Sequence, residues 1–175
     1  KDIDKAIYYF SLSADQNEVT AQYFLGYIYS TENKSSIDLV KAIHYYSLAA
    51  NQNHREAQYN LGNLYRDKFQ DIEKYLYYLT KAAEANYIDA LYSLGHFYST
   101  GQYVQIDIKK AIYYLSSAAN QNDTKSQYEL ALIYYTGKCI MPDIDKAIHY
   151  FELAANQNDS DSQNYLGNIY ISGEY

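Results

Sequence analysis

An aspartate with a lysine three residues on recurs five times in this chain. The pairs are Asp2/Lys5, Asp38/Lys41, Asp71/Lys74, Asp107/Lys110 and Asp143/Lys146, spaced by 36, 33, 36 and 36 residues. A Leu-Gly pair keeps the same rhythm at Leu25-Gly26, Leu61-Gly62, Leu94-Gly95 and Leu166-Gly167, and Leu130-Ala131 is its variant. An asparagine stands 15 residues after each aspartate, at Asn17, Asn53, Asn86, Asn122 and Asn158. Three landmarks sharing one register along the chain point to a tandem array. A unit of this length cannot bury its apolar face alone, so it must stack on its neighbours.

Each landmark has a physical role. Aspartate before a helix accepts from the free N–H groups of the first turn, and asparagine tolerates the left-handed backbone that ends a helix. Asp to Asn therefore brackets a helix of constant length, here called helix B. A second helix, A, runs from Asn to just past the next Leu-Gly. Within B, Ala42, Tyr45, Tyr46, Ala49 and Ala50 follow helical spacing, and within A so do Ala21, Leu25, Ile28 and Tyr29. Glycine inside a helix costs roughly 1 kcal/mol relative to alanine. Bearing that cost at one register suggests a close backbone crossing, where Ala131 implies that a methyl is tolerated. The A–B loops carry Gly101, Gly137 and Gly173 three residues after Tyr98, Tyr134 and Tyr170. Glu32 and Lys68 hold the matching places in the first two repeats, so those loops must turn differently. The three residues missing from the 33-residue repeat fall in or beside its A–B loop.

The expected fold is all-α, a right-handed α-α superhelix (solenoid) of antiparallel helix pairs with about ten helices. Its frame is helix B at 2–16, repeats at about 17–52, 53–85, 86–121 and 122–157, and a final helix A at 158–175.

The string Lys-Ala-Ile-x-Tyr-Tyr-x-Leu-Ala-Ala-Asn-Gln-Asn, followed by Ala-Gln-Tyr-x-Leu-Gly-x-Leu-Tyr, stands nearly intact at residues 41–65. It resembles the Sel-1-like repeat, a relative of the tetratricopeptide repeats. The family's usual tryptophan is replaced at or beside its position by Tyr8, His44, Tyr77, Tyr113 and His149, and asparagine replaces its inter-helix glycine. The third helix B departs most, with Tyr75 where the others have Ala6, Ala42, Ala111 and Ala147. The resemblance implies an α-solenoid used in protein–protein assembly, as an adaptor or as a module attached to an enzyme.

Composition narrows the function. The net charge is −7, and the 14 Lys and Arg are spread along the chain. A phosphate-tracking protein needs a basic stripe, so nucleic acid is a poor partner, an RNA-binding helical repeat included. No apolar run approaches the roughly 20 residues that span a bilayer, so membrane insertion is not expected. The lone Cys139 excludes an intrachain disulfide and fits a reducing, cytoplasmic compartment. The start, Lys-Asp-Ile-Asp, is neither an initiator methionine nor a signal peptide, which fits a piece of a longer chain.

No catalytic set is legible. His44, His54, His96 and His149 form no metal-ligand spacing. Cys139 has no histidine nearby in sequence, there is no phosphate-binding glycine loop, and the recurrent aspartate reads as a cap. No cofactor, metal or enzymatic activity is expected.

A protein or peptide partner is expected on the concave face formed by the A helices. A tyrosine ladder, Tyr23, Tyr59, Tyr92 and Tyr128, recurs there and serves either inter-repeat packing or ligand contact. Beside it the residues vary between repeats, as Tyr27, Asn63, His96, Leu132 and Asn168, with Arg66 and Tyr135 further along. Variation favours ligand contact, and Asn63 and Asn168 suit an extended peptide backbone. The alternative is a regulatory or targeting segment of a larger multidomain enzyme. Tyr165, Ile169 and Tyr170 on the last helix have no following helix to cover them, so further repeats or end-to-end self-association are expected.

Overall fold

The computed structural model describes residues 2–31 and 36–173, with the backbone alone for Ser36 and Ile37. These residues form ten α-helices and no strand. They are α1 (Ile3–Ala14), α2 (Val19–Thr31), α3 (Ser36–Asn51), α4 (Arg55–Phe69), α5 (Ile72–Glu84), α6 (Ile88–Thr100), α7 (Ile108–Ala119), α8 (Thr124–Thr136), α9 (Ile144–Ala155) and α10 (Ser160–Ser172). Odd-numbered helices are the expected B helices and even-numbered ones the A helices. They group into two compact units, residues 1–87 with α1 to α5 and residues 88–175 with α6 to α10.

The caps follow from the sequence. The carboxylates of Asp2, Asp71, Asp107 and Asp143 accept the backbone N–H three residues on, at 3.0 to 3.1 Å. Asp38 is the exception. Helix α3 begins at Ser36, so Asp38 lies in its first turn, and α3 is longer than the constant length expected of a B helix. All five landmark asparagines are left-handed, with φ between 60° and 67°. The residue after the asparagine then caps the next A helix in several repeats. Asp123 and Asp159 accept from the N–H of Ser126 and Ser162, and Glu18 from that of Ala21.

Gly101, Gly137 and Gly173 have positive φ. In two of those loops a second left-handed residue follows, Tyr103 and Cys139. In the short repeat α4 runs through Lys68, and Gln70 supplies the left-handed end instead, with φ 53°. Only Gln70 and Asp71 separate α4 from α5, which accounts for the missing residues. Glu32 lies outside the described residues.

The core of unit 1 contains Leu25, Tyr46, Leu61, Tyr75 and Leu79, and that of unit 2 contains Leu94, Leu115, Leu130 and Phe151. Ile28 and Tyr29, which share the helical spacing of Ala21 and Leu25, are only half-buried. Gly26, Gly62 and Gly95 are close crossings as expected, and Gly167 is not. A Cβ on Gly26 would lie 2.5 Å from the Tyr46 ring, and one on Gly95 2.5 Å from Leu115. Gly167 has nothing within 4 Å of that point.

The Asp-x-x-Lys lysines belong to a recurring stack. Lys41, Lys74, Lys110 and Lys146 place their ammonium groups 4.7 to 5.1 Å from the ring centres of Tyr29, Tyr65, Tyr98 and Tyr134. Those rings lie within 9° of parallel to Tyr45, Tyr78, Tyr114 and Tyr150, at 5.8 to 6.0 Å. Each cation thus sits on the electron-rich face of a tyrosine pair that joins an A helix to the following B helix.

The last helix corrects one expectation. Ile169 is buried against Ala131, Ala147 and Phe151. Tyr165 is half-buried, its ring stacked on Phe151 at 4.9 Å. The preceding helices already cover both. Tyr170 is exposed, with its hydroxyl donating to Glu152, and Ile171 is exposed.

Candidate functional site

Helical spacing places Tyr92, His96, Ser99 and Thr100 on one face of α6. It also places Lys125, Tyr128, Glu129, Leu132, Ile133 and Thr136 on one face of α8. The two faces bound a groove of about 400 Å³ in unit 2, with Ile108 and Ile133 in its wall. Four of the residues marked out by the sequence, Tyr92, His96, Tyr128 and Leu132, line it together.

Its polar centre is Glu129. One carboxylate oxygen, Oε1, accepts from the Tyr92 hydroxyl at 3.2 Å and lies 2.6 Å from His96 Nδ1. Glu129 is 18% exposed and His96 35%. Burial, with the neighbouring carboxylate, pushes the Tyr92 hydroxyl up to about 12. The Lys125 ammonium sits 5.8 Å from the centre of the Tyr92 ring, at the rim. The arrangement can hold an apolar side chain and offer a fixed carboxylate acceptor to a polar donor beside it.

Unit 1 has a matching pocket of about 230 Å³, lined by Tyr27, Ser30, Asn60, Asn63 and Leu64 among others. Each of these residues precedes its unit 2 counterpart, His96, Ser99, Glu129, Leu132 and Ile133, by one 36- and one 33-residue repeat. The chemistry differs. The Tyr46 hydroxyl reaches Ser30 and Asn60 at 3.2 and 3.4 Å, and Asn63 Oδ1 is buried with no protein partner among the described residues.

Of the other candidates, Tyr23, Tyr59, Arg66 and Tyr135 are engaged within the fold. Tyr23 stacks on His54 at 4.7 Å, and Tyr59 meets Tyr87 at 5.1 Å. Arg66 donates to the Tyr75 hydroxyl at 3.0 Å, lies over that ring, and pairs with Asp67 at 2.7 Å. Tyr135 packs edge-on against Tyr165. Asn168 is exposed on α10. The tyrosine ladder is therefore split, with Tyr23 and Tyr59 packed on aromatic neighbours and Tyr92 and Tyr128 lining the groove.

Sequence reasoning missed Glu129. Its equivalents are Phe24, Asn60, Ser93 and Tyr165, so no periodic signal marks the position. The available hint was its place on α8, one residue past the ladder tyrosine.

The Sel1 repeat model matches at residues 1–18, 19–54, 55–87, 88–123 and 124–159. The chain belongs to the Sel1 repeat family. Its frame starts two residues after the asparagine-based one. Among solved structures, the chain is similar to c5321, a protective antigen of uropathogenic Escherichia coli displaying an SLR fold. The match has 29% identity and a TM-score of 0.86, covering 95% of this chain and 36% of that one. It is similar to a Sel1 repeat protein from Oxalobacter formigenes, at 30% identity and TM-score 0.77, covering 90% and 65%. It is also similar to the Helicobacter pylori cysteine rich protein B, at 33% and 0.56, covering 74% and 95%. No curated protein matches it. The chain thus spans about a third of the E. coli antigen's length and 65% of the Oxalobacter protein's. The all-α repeat superhelix is the fold class of this Sel1 repeat chain. Sel1 repeats mediate protein interactions and are typically non-catalytic scaffolds. Among the described residues, no helix is long and apolar enough to cross a membrane.

Proposed function

We propose that this Sel1 repeat chain is an interaction scaffold that binds a protein or peptide on its A-helix faces, with the α6–α8 groove as the principal contact. The observation that carries the reading is the convergence of Tyr92, His96, Tyr128 and Leu132 on one groove. Those residues supply rigid aromatic area around a desolvated polar group, the composition of an interface centre. The varied neighbour His96 is free to differ from repeat to repeat because the core beneath it is built from Leu94, Leu115 and Leu130, while Leu132 also packs against the Ala131 and Phe151 cluster.

The test is affinity capture from the source cell with the wild-type chain and with a His96→Ala/Leu132→Ala variant of unchanged helical content. Partners that are specific and lost with the variant support the reading. Partners held equally by both would remove the groove from the binding surface.

A further inference from the structure

At its inter-helix turns the chain builds a small amide site and fills it twice with its own side chains. In unit 1, Gln52 Nε2 donates to Asn17 Oδ1 at 3.2 Å and to Gln22 Oε1 at 2.8 Å. In unit 2, Gln157 Nε2 donates to Asn122 Oδ1 at 3.2 Å and to Gln127 Oε1 at 2.7 Å. Each time the donor is the glutamine immediately before the next left-handed asparagine, and the acceptors are the preceding asparagine and the buried glutamine of the A helix.

Two repeats break the series: one has Leu91 where the acceptor glutamine stands, with Gln121 Nε2 donating to Ser117 O at 3.1 Å, and the other lacks the donor. Its acceptors are present as Asn53 and Gln58, but the donor position, immediately before Asn86, is Ala85. The Gln58 amide is held as its counterpart is. Its Nε2 donates to Ala50 O at 3.2 Å, as Gln127 Nε2 does to Ala119 O at 3.4 Å. That fixes the orientation of the amide and leaves Oε1 as the acceptor. Gln58 is 4% exposed, and its Oε1 is buried with no protein partner among the described residues. A pocket of about 180 Å³ opens beside it, lined by Asn53, Gln58, Tyr78 and Lys81. This is larger than the roughly 30 Å³ a single water occupies in the liquid.

We propose that this pocket binds a primary carboxamide, the group that the chain itself supplies at the two equivalent turns. A primary amide brings two N–H donors, one for each of the side-chain carbonyls of Asn53 and Gln58, the acceptors whose counterparts are used at the two equivalent turns. In unit 2 the carbonyl of the bound amide, Gln157 Oε1, accepts from Thr124 Oγ1 at 2.9 Å; the place of Thr124 in this repeat is held by Arg55, whose Nε donates to Glu56 at 3.2 Å. The amide can come from a glutamine side chain of a partner peptide or from a free small amide. The inference stands whether or not the groove of α6 and α8 binds a partner.

The experiment is a ¹H–¹⁵N NMR titration of the side-chain amides of Asn53 and Gln58. The probes are propionamide, N-acetylglutamine methylamide and N,N-dimethylpropionamide. The expected result is saturable shifts with the first two and none with the dimethyl compound, whose nitrogen has no hydrogen to donate. A tenfold or greater preference for the glutamine derivative assigns the site to a peptide side chain, and equal affinity assigns it to small amides. Ala85→Gln fills the pocket from within and should abolish the shifts in a protein of unchanged helical content, and Gln58→Leu should abolish the shift of the remaining reporter, the Asn53 amide. Absence of saturable shifts, equal shifts with the dimethyl compound, or an unchanged titration in Ala85→Gln would each overturn the proposal.

Discussion

The Lys110 ammonium lies 5.0 Å from the centre of the Tyr98 ring, and that ring lies within 5° of parallel to Tyr114 at 5.9 Å. The lysine thus has two partners, an aromatic face and the Asp107 carboxylate at 3.9 Å. The ion pair is exposed and contributes little. The cap from Asp107 to the Lys110 N–H, at 3.1 Å, and the cation over the ring are the stabilising parts. Asp107→Ala is expected to cost about 1 kcal/mol and Asp107→Asn much less, because asparagine still caps. Lys110→Met, which keeps the stem and removes the charge, is expected to cost about 0.5 kcal/mol. Urea unfolding of the three variants checks this. Equal losses for Asp107→Ala and Asp107→Asn would mean that charge, not capping, matters.

Asn53 holds φ 62° at the turn between α3 and α4. Glycine accepts that conformation without strain, whereas a Cβ-bearing residue without a polar side chain pays roughly 1–2 kcal/mol. Asn53→Gly should leave the thermal midpoint nearly unchanged, and Asn53→Ala should lower it by several degrees. A midpoint unaffected by alanine would contradict the role assigned to the left-handed turn.

Gly95 and Gly167 occupy one register but should answer oppositely to alanine. A methyl on Gly95 would lie 2.5 Å from Leu115, while one on Gly167 meets nothing within 4 Å. Gly95→Ala is expected to destabilise unit 2 by about 1–3 kcal/mol through overpacking. Gly167→Ala is expected to stabilise α10 by up to about 1 kcal/mol through helix propensity. Chemical denaturation of the two variants gives the sign directly, and the same sign for both would refute the crossing argument.

Tyr46 is 1% exposed, and burial pushes its hydroxyl up to about 12, against about 10 for an unfolded tyrosine. The fold therefore favours the neutral phenol. That contribution is complete below about pH 10 and is lost as pH rises through about 12. Helical ellipticity at fixed urea should fall across this window. Tyr46→Phe should flatten the fall, although losing the bonds to Ser30 and Asn60 makes it less stable at neutral pH. An unchanged alkaline slope in Tyr46→Phe would shift the effect to other tyrosines.

The repeat made much of the fold legible, because features that recur are set by local backbone geometry. The asparagine turns are the clearest case, since a left-handed residue is needed wherever two helices meet at that angle. The tyrosine stacks were hidden among 25 tyrosines, whose pairing depends on which helix face meets which. Arg66 read as an exposed groove residue, yet Tyr75, large where its equivalents are alanine, draws it into packing. Glu129 was illegible for the opposite reason. A residue that occurs once leaves no periodic trace, and only the juxtaposition of α6 and α8 places it beside His96.

The parallel tyrosine pairs have an optical consequence. The chain contains no tryptophan, so its near-ultraviolet absorption is carried almost wholly by phenol rings. Rings held face to face at about 6 Å couple their electronic transitions and pass excitation between them. When such a pair parts, its dichroic signal and its emission change together. Each junction between an A helix and the next B helix thus carries a built-in chromophore that reports its own opening without any label.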